Sequence, residues 1–245
     1  VDVFGTLQLN LHQNPESIDP VLQDDLVDVA QSAFTADGFP TEKDVKQHIL
    51  PADSLITAEI DGEAVGFAAT DGFSGEEVFG EEAPYEASDV VYAAGISVHP
   101  DYQGTGVGKL MRTRGALEML EGDAMAVTRT QNPAVLSYMN DLFDAYPEPG
   151  AETPEHIQYG LEEFAGLLDP DADYEDHVMH AAYGGPTNET LPEGYDDFNE
   201  YVRENLDLEN GDALMVGGEA SEKDLENSYH EMVENRDYEV HEEVV

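Results

Sequence analysis

Ile96-Ser97-Val98-His99-Pro100-Asp101-Tyr102-Gln103-Gly104-Thr105-Gly106-Val107-Gly108-Lys109-Leu110 joins two stretches of different period. Asp89 to Val98, which leads into it, reads as a β-strand, and Val107 to Leu120, which leaves it, reads as a helix. Between them Gly104, Gly106 and Gly108 stand at alternate positions. Glycine admits positive φ and lets another group approach the backbone closely. Successive N–H groups in such a loop, at the head of a helix, form an anion nest. The stretch therefore predicts a phosphate cradle between a strand and a helix.

Three known cradles can be compared. A Walker A loop needs G-x-x-x-x-G-K-[ST]. With Gly108-Lys109 aligned, Gln103 replaces the first Gly and Leu110 replaces the Mg²⁺-binding hydroxyl. A dinucleotide fingerprint needs G-x-G-x-x-G, and its third Gly would fall on Lys109. The third pattern fits: V-x-P-x-x-Q-G-x-G-x-G resembles the coenzyme A loop of the GNAT acetyltransferase superfamily. Gln103, Gly106 and Gly108 fill its Q/R-x-x-G-x-G/A core, with Val98 and Pro100 at the expected offsets.

That resemblance implies an α/β (α+β) fold. Its central sheet is mixed and mainly antiparallel, with a splayed parallel strand pair, helices on both faces and an extended C-terminal region. It covers roughly residues 1–147 as an acetyl-CoA-binding core, and residues 148–245 form an extension that completes the same sheet in one elaborated domain. It implies acetyl-CoA as co-substrate, held by Gln103, Gly104, Thr105, Gly106, Val107, Gly108 and Lys109. Ile96, Ser97 and Val98 would pair with the pantetheine arm and offer a backbone N–H to the thioester carbonyl. Asn132 and Tyr138 resemble the family's second motif, with Asn132 in the coenzyme-binding set and Tyr138 protonating the departing sulfur. Their spacing is one residue shorter than the commonest form. A core tyrosine beside Val135 and Leu142 is the alternative reading of Tyr138.

Charge points the same way. The chain has 9 Lys and Arg against 55 Asp and Glu, for a net charge of −46. Lys109, Arg112, Arg114 and Arg129 fall close together in this acidic chain, where a phosphate-rich ligand would need them. The acidity is spread along the chain and lysine is scarce, which looks like a halophile's cytoplasmic protein and suggests a haloarchaeal family member. Nucleic-acid binding needs a basic face and is disfavoured. There are no cysteines, so disulfides, thiolate nucleophiles and Cys-ligated zinc are excluded. No apolar run has the length of a bilayer span, and no signal peptide is visible.

Elsewhere the chain is read from local signals. Residues 1–11 suggest a first strand. Asp19-Pro20 opens a helix that Gly38 and Pro40 end, and Thr41 opens a short one. Ser54 to Ile60 and Glu63 to Thr70 form a hairpin at Asp61-Gly62. Residues 71–88 read as a solvated loop. Ala124 to Thr128 is a strand, and Asn132-Pro133 opens a helix. Thr153-Pro154, the run around Phe198 and Ser221 mark further helices. The strands that complete the sheet would come from 177–183, 213–217 and 238–243, in an order left open. His177 and His180 would face opposite sides of a strand, so no metal site is expected.

No base stands out: the strand before the loop carries no Glu, Asp89 and Tyr92 are its polar candidates, and His99 is a third in the loop. The leading reading is an acetyl-CoA-dependent N-acetyltransferase acting on a small-molecule or peptide amine. The alternative is a non-catalytic GNAT-fold module that binds coenzyme A for sensing or assembly. Neither nucleic acid nor membrane is expected as a partner, a homodimer is compatible, and the expected location is cytoplasmic. The charge carries a prediction of its own. At 0.01 M salt the Debye length reaches ~30 Å, so like charges across the whole molecule repel. The melting temperature followed by circular dichroism should rise steeply from dilute buffer to molar KCl; a melt that hardly moves would refute adaptation to salt.

Overall fold

A computed structural model describes residues 5–34, 36, 41–80 and 89–245. The elements run β1 (Thr6–His12), α1 (Pro20–Ala33), α2 (Thr41–Asp44, continued by a π-turn Val45–Ile49), β2 (Ser54–Ile60), β3 (Glu63–Ser74) and α3 (Gly75–Phe79). Then come β4 (Asp89–Val98), α4 (Val107–Met119), β5 (Asp123–Thr130), α5 (Pro133–Phe143), α6 (Glu155–Leu168), β6 (Tyr174–Glu175) and β7 (Val178–Met179). The last are α7 (Asp196–Asn205), β8 (Ala213–Ser221), α8 (Glu222–Glu234) and β9 (Glu239–Val244). The described strands form one sheet, ordered β6-β7-β8-β5-β4-β3-β2-β1-β9. It is mixed: β4–β5 and β1–β9 are parallel and the other pairs antiparallel.

Local chemistry explains many of the boundaries. Asp61 and Gly62 both take positive φ, as a two-residue hairpin turn requires. Asp19 Oδ1 accepts from Val21 N–H at 2.8 Å ahead of Pro20, and Asn132 Oδ1 accepts from Ala134 N–H at 2.9 Å ahead of Pro133. Such caps satisfy N–H groups that the helix leaves orphaned. Alternate residues of β5 enter opposite cores. Ala124 and Ala126 pack with α4, α5, α7 and α8, whereas Met125 and Val127 pack with α3 and α6. Helices α1 and α2 cover β2 and β3 on the α3–α6 face.

The parallel pair sets the architecture. β4 and β5 are in register from Asp89↔Ala124 to Ala93↔Thr128. Pairing stops there although both strands continue. Beyond this fork, Gly95 to Val98 keep β3 on one side and have no strand on the other among the described residues.

Several expectations need correction. The stretch from Asp71 is no solvated loop: β3 runs on to Ser74, paired with Asp89 to Tyr92, and Phe73 meets Phe164 edge-on at 5.2 Å. A Ser74–Glu77 capping box then opens α3; residues 81–88, like 1–4 and 37–40, lie outside the described residues. Of 177–183 only Val178–Met179 is a strand, because Asp176, His177 and Ala181 take positive φ and break the extended run. The remaining strands separate. β8, apolar and buried, inserts beside β5, while charged, mostly exposed β9 covers the far edge against β1. His177 bonds Thr153, His180 bonds Asp212, and no metal cluster occurs among the described residues.

Two glycines test this packing in opposite directions. A Cβ at Gly218 on β8 would collide with the backbone of Phe143 and Ala145, whereas one at Gly166 on α6 meets open space. Gly218→Ala should cost about 1–3 kcal/mol. Gly166→Ala should gain up to about 1 kcal/mol from helix propensity. Denaturant melts in the same salt check both signs.

Candidate functional site at the strand fork

The loop after β4 is braced from within. Gln103 Nε2 donates to Val98 O at 3.0 Å, and Thr105 Oγ1 donates to Tyr102 O at 2.6 Å. His99 Nδ1 accepts from Asp101 N–H at 3.3 Å and caps a short turn, Pro100–Tyr102. Gly104 (φ 75°) and Gly106 (φ 89°) supply the left-handed steps, and Gly106 is the N-cap of α4. The N–H groups of Gly104, Gly106, Val107, Gly108 and Lys109 have no hydrogen-bond partner among the described residues. Such a row of orphan donors at a helix head is an anion site. Gly108 brings the helix close to β4, where a Cβ would lie 3.3 Å from Val98 and 3.4 Å from Ile96.

The loop and the fork are continuous. Ile96, Ser97 and Val98 form the unpaired edge that leads from the fork to the loop. At the fork opens a cavity of about 310 Å³ between Ala93–Ile96 of β4 and Thr128–Thr130 of β5, with Gln131 just beyond. Asn132 stands at its wall, with its side-chain oxygen spent on capping α5. This loop and this fork make the sheet a GNAT-like one, and the sequence agrees. Residues 23–138 match the acetyltransferase (GNAT) family. That match covers just under half of the chain and ends at Tyr138. No curated protein matches the sequence. Among solved structures, the ribosomal-protein-S18-alanine N-acetyltransferase of Escherichia coli is similar at 13% identity and TM-score 0.42, over 84% of this chain and 92% of that one. A GNAT family acetyltransferase from Brucella melitensis, solved in complex with acetyl-CoA, is similar at 19% identity and TM-score 0.34, over 49% of this chain and 74% of that one.

The basic residues do not form the single patch that their spacing suggests. Arg114 turns away to Glu118 and Glu242, at 3.2 and 2.8 Å. Lys109 pairs with Asp141 at 3.3 Å. A distant residue takes the cradle instead. Arg236, in the turn after α8, donates from Nη1 to Thr105 O at 2.8 Å, and its guanidinium fills the space where a Gly106 Cβ would point. Its Nε is buried without a partner. Arg236 and Lys109 line one cavity of about 380 Å³ between α4, α5 and α8. No local signal marks Arg236, which lies 131 residues from its partner.

Tyr138 lines this second cavity and not the fork cavity. Thr113 Oγ1 donates to Lys109 O at 2.8 Å, so the Tyr138 hydroxyl, 3.0 Å from Thr113 Oγ1, is the donor of that pair. Burial pushes its phenol up to about 12. Of the residues read as base candidates, Asp89 sits at the closed end of the parallel pair and His99 caps the loop turn. Tyr92 does line the fork cavity, its phenol also pushed up to about 12 by burial. Two carboxylates join it there that sequence reasoning missed. Asp71 is directly opposite Tyr92 on β3, and Asp44 projects from α2. Burial raises both carboxyls above their usual range.

Two arginines complete the cavity wall. Arg112, 4% exposed, donates from Nη1 to Thr128 Oγ1 at 3.3 Å, while Thr128 Oγ1 donates to Ala93 O at 3.0 Å, at the last rung before the fork. Its Nε is buried and unpartnered, and it makes no ion pair among the described residues. A buried charge without a counter-charge is costly. Arg112→Met should therefore hold stability level or raise it by about 1–4 kcal/mol. A marked loss in a denaturant melt would show the guanidinium to be a structural strut.

Proposed function

We propose that this protein is an N-acetyltransferase that moves an acetyl group from acetyl-CoA to an amine at the β4–β5 fork. The observation that carries the reading is the row of orphan N–H groups at the head of α4, continuous with the unpaired edge of β4. Acetyl-CoA supplies an activated thioester and three phosphate groups. The loop amides from Gly104 to Lys109 would hold its pyrophosphate, and Arg236 would add positive charge beside them. Ile96 to Val98 would align its extended arm, and Asn132 borders the same passage.

The chemistry then needs few groups. The amine nitrogen attacks the carbonyl carbon, the C–S bond breaks, and the sulfur leaves with the electron pair. A backbone N–H on the open edge of β4 would stabilise the carbonyl oxygen, a type of contact worth ~3 kcal/mol. Asp71 would take the proton from nitrogen; its raised carboxyl suits a base. Arg112 at the fork would steady the thiolate, and Tyr138 would protonate it after giving up its bond to Thr113. That existing bond favours a second reading, a module that binds coenzyme A without turnover. The even acidity supports a salt-rich cytoplasm as the setting and argues against nucleic acid as a partner.

Calorimetry in molar KCl tests binding. Wild-type protein should bind acetyl-CoA, and Gly106→Glu should abolish binding while the protein stays folded. Unchanged binding by the variant would remove the ligand from the loop. Thiol release with a panel of amines separates enzyme from module. Tyr138→Phe should keep the affinity and lower turnover by about 10²–10⁴-fold; a fully active variant would take Tyr138 out of the mechanism.

A further inference from the structure

Arg129 is the cation of the fork cavity that the transfer chemistry does not use. It projects from β5 on the side of the α3–α6 core, two residues after Val127. Tyr183 holds it twice. The Tyr183 hydroxyl donates to Arg129 O at 2.8 Å, and the guanidinium carbon lies 4.9 Å from the centre of the Tyr183 ring. The guanidinium is thus seated against the ring before any ligand arrives. Beyond the polar contact with Tyr183, the guanidinium finds little: Nη1 reaches Met179 Sδ at 3.7 Å, and Nε is buried with no partner. In a chain with 55 carboxylate side chains, Arg129 makes no ion pair among the described residues. Asp44 shares the cavity and its charge reaches Arg129, yet it does not close to contact.

The cavity is therefore two-signed, with Asp44 and Asp71 on one part of the wall and an unspent planar cation on another. An amine alone would satisfy the carboxylates and leave the half-buried guanidinium without an ion pair. A carboxylate set against the guanidinium from the cavity would form the charge-assisted bonds that arginine favours. Building on the transferase reading, we infer that the acetyl acceptor is a compact amine that also carries a carboxylate, of the amino-acid kind, with the carboxylate on Arg129 and the nitrogen turned toward Asp71 and the thioester. At about 310 Å³ the cavity admits a molecule of that size.

The test uses the full chain in molar KCl with acetyl-CoA. The panel is the twenty common amino acids and β-alanine, each against its carboxamide or decarboxylated amine, with phosphoethanolamine and a C-terminally amidated peptide as further arms. At least one carboxylate-bearing amine should release thiol with kcat/KM at least about 100-fold above its matched partner. Arg129→Met should erase that preference, chiefly through KM, with acetyl-CoA affinity unchanged. Arg129→Lys, which keeps charge but loses the planar fork, should fall between. In a parallel melt the favoured amine should raise the melting temperature of the wild type and not of Arg129→Met. Faster acetylation of phosphoethanolamine or of the peptide, a preference that survives Arg129→Met, or neither thiol release nor a melting shift from any carboxylate-bearing amine would each overturn the assignment. Failure of the wild type to bind acetyl-CoA would sink the transferase reading, whereas a melting shift by a carboxylate-bearing amine that is lost in Arg129→Met would still place that amine on Arg129.

Discussion

The parting of β4 from β5 after Ala93 and Thr128 is the constraint on which the rest depends. A parallel pair that stays zipped leaves no room between its strands. Here the last rung is tied by Thr128, whose hydroxyl bonds Ala93 O and accepts in turn from Arg112. Everything beyond that rung is free to diverge. The divergence exposes one edge of β4, aims the loop away from the sheet and opens a cavity that passes between the two helical layers. An isolated edge of this kind is normally a liability. It is tolerated where a ligand can complete the ladder.

Electrostatics gives the fork its character. The molecule is overwhelmingly anionic, so a cation that meets no carboxylate stands out. Arg112 and Arg129 line the fork cavity, and Arg236 lies on the neighbouring cradle, each with a buried Nε that finds no partner. Arg114 and Lys109, by contrast, are consumed by Glu118, Glu242 and Asp141. Counting charges along the sequence could not separate the two groups, because pairing is decided by residues far away in the chain.

What was legible follows the same line between near and far. The loop, the Asp61-Gly62 hairpin and the proline-led helices at Pro20 and Pro133 are written in a few adjacent residues, and each forms where expected. The extension of β3 through Asp71 was hidden, since its pairing partner lies beyond Ser74, α3 and residues 81–88. That error also concealed Asp71, the carboxylate that lines the fork cavity opposite Tyr92 and stands on the hidden part of the strand. Likewise the periodicity around Val178 was genuine, yet left-handed residues on either side cut the strand short. The meeting of α2, β3, β5 and the Tyr183 segment around one cavity carries no local mark at all.

Arg236 has a further consequence, for the order in which the molecule assembles. The glycine loop, α4 and the fork are contiguous in sequence, and their contacts span short loops. The Arg236–Thr105 contact spans 131 residues and waits on α8 docking against α4 and on β9 reaching β1. Closing a loop of that length has an entropic cost that only later contacts repay. On a growing chain, then, the loop amides precede Arg236 by 131 residues, counted from Thr105. Arg236 reaches Thr105 only once α8 has docked on α4, so the loop is finished by a contact made long after its own residues are in place.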